Sequence, residues 1–146
     1  MCGLESGDRD GAIAELIDRL VMCRAVPAGD RDDVLERVLE RERKFSTGFG
    51  LGVAVPHVKH AGIRRICAAI GLSRDGVDFQ SRDSMPVRSI VLLISPEDRP
   101  DEHLHAMEAL FKQLRKETFR RSLASAENES AVRSLLAEAD GDGYVG

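Results

Sequence analysis

Residues 41–57 read RERKFSTGFGLGVAVPH, and they place a histidine just past the end of an apolar, strand-like run. Leu51, Val53 and Val55 alternate with the small Gly52 and Ala54, the period of a strand whose two faces differ in bulk. Pro56 has no amide hydrogen and biases Val55 toward extended backbone, so the ladder is expected to end there and His57 to emerge at the rim of the sheet. Upstream, Ser46, Thr47, Gly48, Gly50 and Gly52 offer hydroxyl donors and a backbone free to aim successive N–H groups at an anion. Such a nest suits a phosphoryl group. No Gly-Lys-Ser/Thr follows, so this is not a Walker A loop. Its Gly-x-Gly-x-Gly spacing also lacks the strand before and helix after that the dinucleotide fingerprint needs.

Outward from this stretch the chain alternates helical and extended patterns. Ile13, Leu16, Ile17, Leu20 and Val21 recur at helical spacing and predict a first helix over about 9–24, ended by Pro27 and Gly29. Asp30 is a plausible N-cap for a second helix that runs to about residue 43, with Asp33 in its first turn, Val34, Leu35, Val38 and Leu39 as its buried stripe and Arg41 in its last turn. Two further apolar runs follow, 66–72 and 90–95. The second, IVLLIS, is too continuous for a one-sided sheet, so helices are expected on both faces. Between them Gly76, Asp78, Asp83 and Pro86 mark turns, with a short strand over 77–79. Pro100 fits the first position of a helix reaching about residue 115, with Asp101 and Glu102 in its opening turn. On that helix His103 shares a face with Met107, Leu110 and Leu114 and points inward, whereas His105 aligns with Ala109, Lys112 and Lys116 and points to solvent. Short helices over 117–124 and 128–139 complete the pattern.

At 146 residues the chain fits one domain, enough to bury roughly two-thirds of its unfolded surface. A net charge of −4 supplies no global basic field for nucleic acid, and Arg120-Arg121 and the lysines at 112 and 116 fit solvated helix faces. No apolar run approaches the roughly twenty residues of a membrane span, and residues 1–11 have no signal-peptide core, which predicts a cytoplasmic protein with no direct membrane insertion. Cys2, Cys23 and Cys67 form no CxxC pair and fit reduced thiols.

The run Arg41-Glu42, Ser46-Thr47-Gly48-Phe49-Gly50 and Gly52-Val53-Ala54-Val55-Pro56-His57 resembles the active-site signature of enzyme IIA domains of the bacterial phosphotransferase system (PTS). The class is the fructose, mannitol and nitrogen-regulatory one (EIIA type 2), and the chain is most like its stand-alone nitrogen-regulatory members. The resemblance implies a single α/β domain over 1–146: a single-layer mixed parallel and antiparallel sheet with helices on both faces, the α/β/α sandwich of mannitol-type IIA domains. It implies that His57 is the phosphoacceptor, charged by HPr or its nitrogen-branch relative, with Arg41 and His103 beside the phosphohistidine. Two departures stand out. Family members place a strand before the first helix, whereas only about eight residues precede it here, so that strand is expected to be shortened or missing and residues 1–8 and 141–146 to fray. The family's Pro-His is often followed by Gly-Lys; this chain has Val58-Lys59, and Val58 does not readily adopt a positive φ.

These parts compose a phosphoryl carrier rather than a multiple-turnover enzyme. A neutral imidazole attacks the phosphorus in line, and because the transition state is loose and anionic, positioning and charge stabilisation do most of the work. Arg41 neutralises phosphoryl oxygens, the phosphate-binding loop of Ser46, Thr47 and Gly48 donates hydrogen bonds, and His103 donates to or orients the phosphoryl group. The plainer alternatives are that Arg41 is a solvated helix end, His103 a boundary histidine, and Ser46 and Thr47 loop caps. His60 is assigned to solvent, like His105. No cofactor or metal is required; a metal site built from His57, His60, His103 and His105 is weakly supported, lacking acidic or thiol ligands at recognisable spacing. Three roles fit: a stand-alone regulator whose phosphorylation state switches its binding to target proteins, a sugar-specific IIA subunit that passes phosphate to a IIB domain, and a binding module that no longer turns over phosphate. A free-standing regulator is favoured, since no membrane segment or linker is attached.

Overall fold

The computed structural model describes residues 2–44, 46–81 and 83–124; the helix expected over 128–139 and the tail at 141–146 lie outside them. In chain order the elements are β1 (Cys2–Gly3), α1 (Arg9–Met22), a 3-10 turn (Ala28–Asp30), α2 (Arg31–Lys44), β2 (Gly48–Gly50), β3 (Val53–Ala54), β4 (His57–His60), β5 (Cys67–Val77), β6 (Val87–Pro96), α3 (Pro100–Leu114) and α4 (Glu117–Ala124). The IVLLIS run occupies the middle of the sheet as part of β6. Antiparallel β5 flanks it on one side with parallel β1 beyond, and parallel β3 and β4 flank it on the other with antiparallel β2 at the edge.

This mixed sheet is covered on both faces, which is why β6 is apolar on both parities. Ala54, Ile90, Leu92 and Ile94 pack with Ile13, Leu16, Ile17, Val34 and Val38 of α1 and α2. On the opposite face Val53, Val55, Ile70, Val91 and Leu93 pack with Met107 and Leu114 of α3. Removing each of the Val, Leu, Ile and Met side chains among them from water stabilises the fold by roughly 1.5–3 kcal/mol.

The strand through the signature differs from expectation. Pro56 breaks the ladder without ending the strand: β3 pairs Val53 with Ser89 and Ala54 with Ile90, and β4 then pairs His57 with Leu93 and His60 with Pro96 in unchanged register. The missing donor of Pro56 is harmless because its carbonyl still accepts from Leu93 N–H at 3.0 Å, while the upstream edge pairs through Val55 N–H, which donates to Thr47 O at 3.1 Å. His57 therefore lies within the sheet, not beyond its rim. Val58 is an ordinary strand residue paired with Ile94, so the departure from Pro-His-Gly requires no positive φ.

The ends of several elements also shift. Residues 2–8 were expected to fray, yet β1 pairs Cys2 with Gly71 and Gly3 with Leu72. Leu4 N–H continues to Leu72 O at 2.9 Å, Glu5 and Ser6 amides donate to the Glu15 carboxylate, and Asp8 caps α1 by accepting from Gly11 N–H at 2.7 Å. An edge strand therefore precedes α1. Helix α1 stops at Met22 because Arg24 takes φ 63° and Ala25 N–H returns to Leu20 O, a left-handed cap without glycine. Val77 closes β5, and Asp78 makes a single bridge to Asp8, in place of a separate strand over 77–79.

Candidate functional site

Parity along β3 and β4 decides which side chains can meet. Val53, Val55, His57 and Lys59 share the face covered by α3, and Leu93 and Ser95 of β6 share it with them through the parallel register. Helix α3 begins at Pro100, so His103 lies in its first turn, above that face. The rings of His57 and His103 come together with centroids 5.7 Å apart and planes inclined by 42°.

Hydrogen bonding fixes the chemistry of His57. Its Nδ1 lies 2.8 Å from the Val55 carbonyl oxygen, which can only accept, so Nδ1 carries the hydrogen and Nε2 keeps its lone pair. Burial holds the His57 pKa below the ordinary imidazole range; the Val55 hydrogen bond works the other way, and the positive charge of Arg41 adds to the lowering. The ring is half-buried, its lowered pKa favours the neutral form, and the lone pair on Nε2 makes it chemically able to act as a nucleophile. His103 is lowered further, to about 4, by burial first and then by the positive fields of His57 and Lys59. Its Nδ1 is 2.6 Å from Ser95 Oγ.

Arg41 occupies the last turn of α2, as the sequence predicts, close enough for its charge to act on both His57 and Glu42. The loop after it is organised differently from an open anion nest. Thr47 donates its backbone N–H and its hydroxyl to the two carboxylate oxygens of Glu42, each at 2.8 Å. Ser46 donates its hydroxyl to Phe79 O and accepts from Gly48 N–H at 3.0 Å. The donors of Ser46, Thr47 and Gly48 are therefore committed within the protein, where they brace the loop. Glu42 is 1 % exposed, and burial pushes its carboxyl up, opposed by the Thr47 hydrogen bonds and the charges of Arg9 and Arg41.

His60 differs from the expectation of a solvated side chain. It is 5 % exposed, not solvated: Nε2 lies 2.5 Å from Asp33 Oδ2, and Nδ1 accepts from Gly62 N–H at 2.9 Å. Three residues beyond His57 on one strand, it faces the α1 and α2 layer. His105 is exposed as expected. The four histidines therefore do not converge on one point. Among the described residues no helix is long and apolar enough to cross a membrane.

With this geometry in place, residues 2–139 match the family model described as "Phosphoenolpyruvate-dependent sugar phosphotransferase system, EIIA 2". The chain belongs to this EIIA family. Among its relatives, the fructose-specific EIIABC component of Bacillus subtilis is 34% identical over 94% of this IIA chain, which spans only 21% of that relative's length. The fructose-specific EIIA component of Haloferax volcanii is 34% identical over 89% of the chain and 83% of its own length. The crystal structure of the nitrogen regulatory protein IIA-Ntr from Neisseria meningitidis superposes with a TM-score of 0.82 at 31% identity, covering 92% of the IIA chain described here and 90% of the other.

Two buried polar residues escaped the sequence reading, Glu42 beside the candidate site and His60 on the other face of the sheet, and each left a signal. Glu42 lies four residues after Val38 and three after Leu39, which places it on the buried stripe of α2 despite its charged neighbours. His60 has opposite strand parity to His57, which assigns it to the other layer once the strand continues past Pro56.

Proposed function

We propose that this IIA domain is a phosphoryl carrier and regulator in which His57 accepts a phosphoryl group from the phosphohistidine of an HPr-type donor and target proteins respond to its phosphorylation state. The observation that carries the reading is His57 itself: Nδ1 is held by Val55 O, which leaves the lone pair on Nε2, and the His103 ring lies beside it with centroids 5.7 Å apart. In the transfer, Nε2 attacks phosphorus in line, the donor's nitrogen–phosphorus bond breaks with its electron pair staying on the donor imidazole, and a new bond forms at Nε2. The Nδ1 hydrogen stays in place, bonded to Val55 O, so the phosphorylated ring carries positive charge next to the phosphoryl anion. Arg41 stabilises the anionic oxygens and His103 donates to them. Ser46, Thr47 and Gly48 act through the shape of the loop and share their donors with phosphate only if the Glu42 and Phe79 contacts rearrange. Such a carrier works in the cytoplasm, where its donor is found.

A second reading, a sugar-specific IIA that passes phosphate to a IIB domain, draws support from the fructose-specific relatives. Retention of His57, Arg41 and His103 argues against a binding module without phosphoryl transfer. The test is incubation with phosphoenolpyruvate, enzyme I and HPr or its nitrogen-branch relative, followed by intact mass measurement. An acid-labile phosphoryl adduct forms on the wild type and is lost in His57→Ala, and Arg41→Ala slows its formation by about a hundredfold. No adduct with either donor, or an undiminished one on His57→Ala, overturns the proposal. Pull-downs with both forms then separate the roles: recovery of a IIB domain as phosphate acceptor replaces the regulator with the sugar carrier.

A further inference from the structure

The IVLLIS run of β6 ends on a hydroxyl that the packing does not require. Ser95 is completely buried, sits on the same sheet face as His57 through its register with Lys59, and has His103 Nδ1 as its hydrogen-bond partner at 2.6 Å. The five residues before it, Ile90–Ile94, are all aliphatic and buried. A hydroxyl placed there loses its hydration and must recover it from a protein partner.

Donor and acceptor accounting gives this contact a direction. If His103 Nδ1–H donated to Ser95 Oγ, the serine hydrogen would be left inside the core, with no acceptor assigned to it among the described residues. If Ser95 O–H donates to Nδ1, the single bond satisfies the hydroxyl hydrogen and the ring nitrogen together. His103 is then the Nε2–H tautomer. At His57 the Val55 carbonyl imposes the opposite arrangement, Nδ1–H with Nε2 free. The two facing rings are thus held in complementary tautomers, a lone pair on one and a hydrogen-bond donor on the other.

We propose that Ser95 is a positioning residue for phosphoryl transfer: its hydroxyl locks His103 as the Nε2–H tautomer, so that His103 always presents a donor to the phosphoryl oxygens arriving at His57 Nε2. The part played in transfer rests on the carrier reading, whereas the tautomer does not. Without the serine the two neutral tautomers of His103 interconvert, and the half with a lone pair at Nε2 repels the incoming anion. Partners that orient metal-ligating imidazoles are typically worth ten- to a hundredfold in affinity or activity, and an effect at the low end of that scale is expected for a ring that only donates to the phosphoryl oxygens.

The test begins with ring nitrogen chemical shifts of the unphosphorylated wild type at pH 7, referenced to His57→Ala and His103→Ala for assignment. His103 is expected to show a protonated Nε2 and an unprotonated Nδ1, and His57 the reverse. In Ser95→Ala the His103 shifts move toward a tautomer mixture while those of His57 stay, and phosphorylation by HPr slows by about tenfold. Ser95→Thr, which keeps the hydroxyl, restores both. A wild-type His103 protonated at Nδ1 overturns the inference without any variant, as does a Ser95→Ala protein with wild-type shifts and rate. Absence of any adduct on the wild type refutes the carrier reading instead, and the tautomer result stands apart from it.

Discussion

Replacing Thr47 by Val removes one of the two hydrogen bonds that hold the buried Glu42 carboxylate and changes the side chain's shape very little. The lost bond is 2.8 Å long and ends on Glu42 Oε2; the Thr47 backbone N–H bond to Oε1 remains. Hydrogen bonds to charged groups contribute roughly 1.5–3 kcal/mol, and a carboxylate that is 1 % exposed has little water to turn to, so Thr47→Val is expected to destabilise by about 2 kcal/mol at pH 7. For a chain of this size that is a fall in Tm of about 6–8 °C. The pH dependence adds a second signature. Burial already raises the Glu42 pKa; removing a donor that favours the ionised form raises it further, so the difference between variant and wild type narrows as the pH falls toward the usual carboxylate range. Urea unfolding followed by far-UV circular dichroism at pH 7 and pH 5, with equal m-values, measures both effects. A loss below about 0.5 kcal/mol at pH 7, within the range of an ordinary surface substitution, refutes the idea that Glu42 clamps the loop leading into β2 and β3.

His103 titrates near 4 in the folded protein and near 6.5 when unfolded; because the folded pKa is the lower one, its contribution to stability is complete above 6.5 and is lost as the pH falls from 6.5 to 4. The full loss is roughly 3 kcal/mol before allowance for the ring's partial exposure, so about 1–3 kcal/mol of acid-dependent destabilisation should vanish in His103→Asn, as read from unfolding free energies at pH 7 and 4.5. His60→Ala leaves Gly62 N–H without its acceptor and opens a cavity between β4 and α2, which costs about 2–4 kcal/mol in urea unfolding. Since His60 faces away from His57, the phosphorylation rate of the folded variant should stay within about twofold of wild type, and a larger loss would move His60 into the site.

The helices were the most legible part of the fold because their signal is local. The 3.6-residue recurrence of Ile13, Leu16, Ile17 and Leu20 describes one buried stripe wherever the helix packs, and the same logic separated His103 from His105 on α3. Where expectation failed, a partner outside the element itself decided the outcome. Pro56 looks like the end of a strand in isolation, yet β6 supplies an amide to its carbonyl and carries the register through to His60. Ser46 and Thr47 look like free donors, yet Phe79 and Glu42 take their hydrogens. The residues before α1 look too few to be ordered, yet β5 pairs with Cys2 and Gly3 and the Glu15 carboxylate accepts from the Glu5 and Ser6 amides.

By itself the sequence determined the α/β alternation, the continuous run that must lie at the centre of a two-faced sheet, the family signature ending in His57, and the inward orientation of His103, since each follows from residue type and spacing along one element. Tertiary structure alone decided which nitrogen of His57 is free, where the loop donors go, that His60 lies on the other face, and that Ser95 meets His103. Those outcomes depend on which partner each polar group meets once the chain is folded, as near as Val55 for His57 and as far as Phe79 for Ser46, and such side-chain hydrogen bonds leave no periodicity behind.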